Sequence, residues 1–226
     1  MTIGVSSVEW LPAWRIIPSR FPPVGLFDRV ADPADLDAVI ALEGMTNDRI
    51  RDEVGNLQLI PLEERISGAG TSVIMAAFTH LNPQGSRFSD GSFGVCYVAN
   101  TIDTCIMETR YHREKFLRAT NEEPIEIDMR VYNIDLNGQL HDICGMQSTM
   151  PTVYHATDYS ASKQFARDLK SQNASGILYN SVRHAGGFNA AVFRPRCLSN
   201  CRQERHLCYV WDGRSIAHHY TKSDLV

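Results

Sequence analysis

The 226-residue chain has no surplus of positive charge: 22 Lys and Arg stand against 26 Asp and Glu, a net charge of -4. A general nucleic-acid binder would carry a basic footprint, so direct binding to DNA or RNA is not expected. Long apolar runs are also missing. The longest, Val73-Ile74-Met75-Ala76-Ala77-Phe78, is far below the roughly 18–20 residues of a spanning helix, and membrane insertion is not expected. The opening Met1-Thr2-Ile3-Gly4 has no basic stretch leading into an apolar one, so no secretory signal is visible. The six cysteines therefore read as thiols of a cytoplasmic protein and not as a disulfide framework.

Common catalytic signatures are absent too. There is no Gly-x-Ser-x-Gly elbow, His-Glu-x-x-His helix or Walker sequence, and Gly68-Ala69-Gly70 lacks the third glycine of a dinucleotide fingerprint. Cys197, Cys201, His206 and Cys208 match no closed zinc spacing, so no metal is expected. Ser181 and His184 are too close in sequence for the usual nucleophile and base, and no orienting acid is identifiable.

What remains has the composition of a folded protein, with 43% hydrophobic and 21% charged residues. No repeat or linker divides it, and the length suits one core. Pro18 to Pro23 reads as an extended lead-in. Asp32-Pro33 looks like a helix start, with Leu36, Val39, Ile40 and Ala41 as its apolar stripe. Further helices are expected around 47–54 and 72–81. A strand at 94–99 leads through Asn100-Thr101 into a helix at 102–117, with Ile102, Cys105, Ile106, Thr109, Phe116 and Leu117 on one stripe. Glu108 falls about 120° from the middle of that stripe, at 100° per residue, and so points sideways, towards the helix N-terminal neighbours or into a cleft, and not into the core.

Near-alternating apolar residues from Ile125 to Leu136 read as strand, with Asn137-Gly138 as a turn. A helix at 158–169, strands at 176–181 and 190–193, and a hairpin across Asp212-Gly213 with a primed turn complete the pattern. Helices early and strands late indicate an α+β, or mixed α/β, fold.

Four separated fragments stand out: Gly85-Ser86-Arg87-Phe88-Ser89, Tyr97-Val98-Ala99, Glu108-Thr109 and Asn180-Ser181-Val182-Arg183. Singly, each has an ordinary reading. Arg87 suits a surface turn, Tyr97 a core, Glu108 a solvated helix and Ser181 a strand end. Together, with Trp14-Arg15-Ile16 upstream and Asn189 and Phe193-Arg194-Pro195 downstream, they resemble the RES domain, named for its Arg, Glu and Ser.

The resemblance implies an ADP-ribosyltransferase-like single domain over 1–226. Residues 1–84 would form a lead-in with a helical extension, 85–196 the core motif region and 197–226 a terminal hairpin. It also implies a toxin of a toxin–antitoxin pair that degrades NAD⁺ with water or phosphate as acceptor, its partner an Xre-like antitoxin. The alternatives are transfer of ADP-ribose to a protein acceptor, or a non-catalytic binding module of the same fold. NAD⁺ would be substrate, with no further cofactor. Carried over to this chain, the resemblance makes Arg87, Tyr97, Glu108 and Ser181 the catalytic set. Arg15, Arg183 and Asn189 would support NAD⁺ binding. Glu108 would face the oxocarbenium-like ribose, Arg15 and Arg87 the pyrophosphate. Tyr97 would stack on nicotinamide or the ribose face, and Ser181 would hydrogen-bond the nicotinamide ribose or the nicotinamide amide and fix its orientation.

Overall fold

The computed structural model describes residues 3–19 and 55–222, with residues 28, 32–36 and 38 between them. The first element is a strand, β1 (Val5–Pro18). It is followed by α1 (Thr71–Thr79), β2 (Cys96–Ala99), α2 (Ile102–Ala119), β3 (Ile125–Asp142) and α3 (Ser160–Ser171). The last four elements are β4 (Gly176–Asn180), β5 (Phe188–Val192), β6 (Leu198–Trp211) and β7 (Ile216–Lys222). Seven strands in one mixed sheet with three helices among the described residues make the fold α+β.

Strand pairing explains the architecture. The order is β1-β2-β5-β4-β3-β6-β7, and β1 also pairs with β3. Five strands, β1, β2, β5, β4 and β3, therefore close on themselves, and the β6–β7 ribbon extends from the long β3. All pairs are antiparallel except β3–β4. Each helix covers its own apolar cluster. Ile74, Met75 and Phe78 of α1 pack with Val98, Ile134 and Leu136; Cys105, Ile106 and Leu117 of α2 pack with Val131, Tyr209 and Trp211; Ala166 and Leu169 of α3 pack with Ile177 and Phe193. No described helix is long and apolar enough to cross a membrane.

Several expectations change. Asn137-Gly138 is no turn: it lies inside β3, facing Glu9 and Val8 of β1. A partner strand covers this stretch, and a Cβ on Gly138 would sit 3.1 Å from the Cys197 sulfur, so close approach is what the glycine serves. The hairpin between β6 and β7 turns through Asp212 to Ser215 and not through a two-residue primed turn. The Asp212 carboxylate accepts from the amides of Arg214 and Ser215, both at 2.8 Å.

The lead-in contains the strand β1, which pairs with residues more than a hundred positions away. Asp32 caps as expected, its side chain accepting from the Ala34 amide, but over a 3₁₀ turn (Pro33–Asp35), with Leu36 fully buried beyond it. Val39, Ile40, Ala41 and the helix expected at 47–54 lie outside the described residues. The remaining helices agree within a few residues. Thr101 caps α2 by accepting from the Thr104 amide, a bond worth about 1 kcal/mol.

Candidate active site

The loop before β2 is built around one tyrosine. Asn82 closes a turn onto Gly85, which has a φ of 73° and no room for a side chain: a Cβ there would lie 2.2 Å from the Ser89 carbonyl oxygen. The Tyr97 hydroxyl accepts from the Phe88 amide (2.8 Å) and bonds the Ser86 hydroxyl (2.7 Å). Burial pushes the Tyr97 pKa up to about 12, against the opposing pull of those two bonds. Tyr97 is thus a neutral phenol that ties down the residues on either side of Arg87. Phe88, fully buried edge-on against Tyr179 at 4.8 Å, completes the anchor.

Arg87, itself buried, projects from this loop. Its Nη1 donates to the carbonyls of Val153 (3.2 Å) and His155 (3.0 Å), and the guanidinium lies over the Tyr159 ring at 4.5 Å. Among the described residues its Nε and Nη2 have no protein partner. Arg15, on β1, donates to the Tyr97 carbonyl at 3.0 Å, and its buried Nε has no partner among the described residues.

Glu108 projects from α2 on the opposite wall. Its Oε1 accepts from Ser181 Oγ (2.7 Å) and from Asn189 Nδ2 (2.9 Å), and its Oε2 has no protein partner among the described residues. Ser181 is saturated. Its proton goes to Glu108, and its oxygen accepts from the amides of Arg183 (3.1 Å) and His184 (2.9 Å). The structure therefore places Ser181 behind the carboxylate, as the group that aims it. The His184 ring bonds Thr104 Oγ1 instead, at 2.9 Å.

A cleft of roughly 690 Å³ brings the two walls together. Arg15, Arg87, Tyr97, Glu108 and Asn189 line it; Ser181 and Arg183 do not. Arg183 instead donates to the Ala156 carbonyl and stacks on the Tyr111 ring at 3.4 Å, tying the 151–159 loop to α2. Arg113, Lys115 and Lys163 add positive charge to the cleft, against Asp158 as the only acid besides Glu108 among the described residues. An acidic chain thus carries a locally basic cleft suited to an anion. A second hollow of roughly 530 Å³, mostly apolar, shares Arg15, Ser86 and Tyr97 as a common wall.

The motif search did not single out Tyr159 or His112, both on the cleft. Tyr159 falls at the start of the expected helix 158–169 and is the N-cap residue of α3, where apolar spacing carries no sign of a role in the cleft. His112 was legible only through its place four residues after Glu108 on one helix, the spacing at which side chains share a face.

The RES domain family matches over residues 63–212, more than half of the chain. A curated relative, the uncharacterized protein y4oC of Sinorhizobium fredii (strain NBRC 101917 / NGR234), is 29% identical over 212 residues, covering 93% of this chain and 87% of the relative. Among solved structures, the chain aligns with one from the M. tuberculosis MbcT–MbcA toxin–antitoxin complex. That alignment has a TM-score of 0.48 and 13% identity, covering 92% of this chain and 87% of the other.

Proposed function

The chain belongs to the RES domain family, and we propose that it breaks the bond between nicotinamide and ribose in NAD⁺, passing the ADP-ribose to water or phosphate. The observation that carries this reading is the carboxylate of Glu108. One oxygen is fixed by Ser181 and Asn189, and the other is left free in a cleft that also holds Arg15 and Arg87.

Departure of nicotinamide leaves oxocarbenium-like charge on the ribose. A carboxylate already oriented meets that charge without reorganising as it develops. Glu108 Oε2 is the atom to face the ribose and its hydroxyls. Asn189 and Ser181 keep the carboxylate from rotating away, which is their contribution to rate. The pyrophosphate matches Arg87, whose Nε and Nη2 remain available, and Arg15 on the adjoining strand. Tyr97 acts through the loop it tethers, and its ring forms part of the wall beside both guanidinium groups. Nicotinamide leaves as a neutral pyridine from a cationic precursor, so its departure needs no proton.

As a member of this family the chain would work as a toxin on the cytoplasmic NAD⁺ pool, held in check by a cognate Xre-like antitoxin. The test is direct. Purified protein is incubated with NAD⁺, with and without phosphate, and followed by NMR. Release of nicotinamide with ADP-ribose or its 1″-phosphate is the expected result. Intact NAD⁺ after prolonged incubation with folded protein would overturn the reading, and ADP-ribose on added lysate proteins would redirect it to a protein acceptor.

A further inference from the structure

His112 lies one turn beyond Glu108 on α2, and both side chains line the same cleft. Residues four apart on a helix have Cβ atoms about 5–6 Å from each other, so the imidazole borders the space that the ribose would fill. Its ring packs edge-on against Tyr111 (5.3 Å between centroids), whose face in turn carries the Arg183 guanidinium. That stack orients the ring. Neither ring nitrogen has a hydrogen-bond partner among the described residues.

Packing around the ring, followed by the positive charges of Arg183, Arg87, Lys115 and Arg113, pushes the His112 pKa down to about 4. Glu108 from the same helix, with Arg15, Asp158 and Lys163, also line this cleft. At neutral pH the ring is therefore uncharged, with one nitrogen lone pair open.

Resting on the NAD⁺ reading, we propose that His112 is the base that receives the proton of the attacking oxygen when the acceptor is a water or a hydroxyl. The water oxygen forms its bond to C1′ while the bond from C1′ to the pyridinium nitrogen breaks, that electron pair leaving with nicotinamide. The water proton moves to the open imidazole nitrogen and is then lost to solvent. The products are ADP-ribose, nicotinamide and one proton. A weak base suffices, because an oxygen bonding to an oxocarbenium centre becomes strongly acidic as the bond forms. Glu108 is a poorer choice for this step, since its fixed orientation directs it to the sugar. Inorganic phosphate arrives as an oxyanion and needs no such base.

The two acceptors separate the claim from its premise. Wild type and His112→Gln are each given NAD⁺ in phosphate-free buffer and in phosphate, and both products are measured in each sample. Azide serves as the anionic acceptor if phosphate is not taken. The ratio of products is internal to each sample, so a partly folded preparation does not distort it. His112→Gln is expected to lose hydrolysis at least about tenfold, below the roughly 10²–10⁴-fold typical of general acid–base groups because this base is weak. Transfer to the anion should stay within about twofold of wild type. An unchanged ratio, with both products falling together or neither falling, overturns the role of His112 alone. No NAD⁺ loss with wild-type protein overturns the parent reading, and this inference with it.

Discussion

The two walls of the cleft are held in different ways. Glu108 is braced by Asn189, a buried residue of strand β5, and by a serine whose own oxygen is filled by two amides. Arg87 is braced by carbonyls of a loop in which His155, Ala156, Thr157 and Asp158 are all exposed. The carboxylate wall is thus fixed by the sheet, whereas the guanidinium wall is fixed by a surface segment that the arginines themselves hold down. Fixed dipoles matter most where charge develops in the reaction, and adjustable ones where a flexible pyrophosphate must be captured. Substitutions on the first wall should reduce turnover, and those on the second should loosen binding.

The largest effect is expected from Glu108→Gln. The amide oxygen can still accept from Ser181 and Asn189, so the fold and its melting temperature should hold, while the charge facing the ribose disappears. NAD⁺ turnover should fall by about 10²–10³-fold, as for loss of one preorganised charge-stabilising group. Retention of wild-type kcat would show that the fixed wall does not carry the chemistry.

Next is Ser181→Ala, which frees the carboxylate and leaves the amides of Arg183 and His184 without their acceptor. A drop in kcat of about 10-fold or more is expected, together with a destabilisation of about 1–3 kcal/mol measured by chemical denaturation. A rise in KM with unchanged kcat would instead place Ser181 among the substrate contacts.

On the other wall, Arg87→Lys keeps the charge but loses the planar fork and the stack on Tyr159. KM for NAD⁺ should rise several-fold, and amide hydrogen exchange should speed up across residues 153–159. Glu108→Gln should leave that exchange unaltered. Equal protection of the loop in both variants would erase the contrast between the walls.

The sequence made the site more legible than its supports. Arg87, Tyr97, Glu108 and Asn189 come from short, ordered fragments, and all line one cleft. Their roles were less visible. Nothing local indicates that the Tyr97 hydroxyl serves the backbone of Phe88, or that Ser181 faces Glu108 and not a ligand, because those bonds join residues 9 and 73 positions apart. Arg183 follows the serine in sequence, yet the turn sends it outward to Ala156 and Tyr111.

The helices were readable from apolar spacing, with α2 clearest because its cap and stripe agree. Strand β1 was not readable. Pro12 and a register shift between Trp10 and Ala13 interrupt its alternation, and its exposure pattern shows no clean period of two. Its pairing with β3 depends on residues far along the chain. Asn137-Gly138 misled for the same reason: a strong turn dipeptide was overruled by a distant strand that pairs straight across it.

The smallest effect concerns acid stability and again sets the two walls against each other. His112 shares α2 with Glu108, and its pKa falls from 6.5 to about 4 on folding, through burial first and the arginine charges second. A histidine that resists protonation when folded is protonated first in the unfolded chain. As pH drops below about 6.5 the unfolded state binds the extra proton, and stability declines until the folded ring also titrates near 4. The stability present above pH 6.5 is therefore partly lost on acidification. His112→Gln removes that term, so its melting temperature should fall less than that of wild type between pH 7 and pH 5. The difference should be modest, since His112 is exposed and solvent screens its charge. Adding Arg87→Lys to wild type should leave most of the acid sensitivity in place, because the charge near the ring is retained. Identical pH dependence of wild type and His112→Gln would mean that the imidazole titrates normally and that the charges of the guanidinium wall do not reach it.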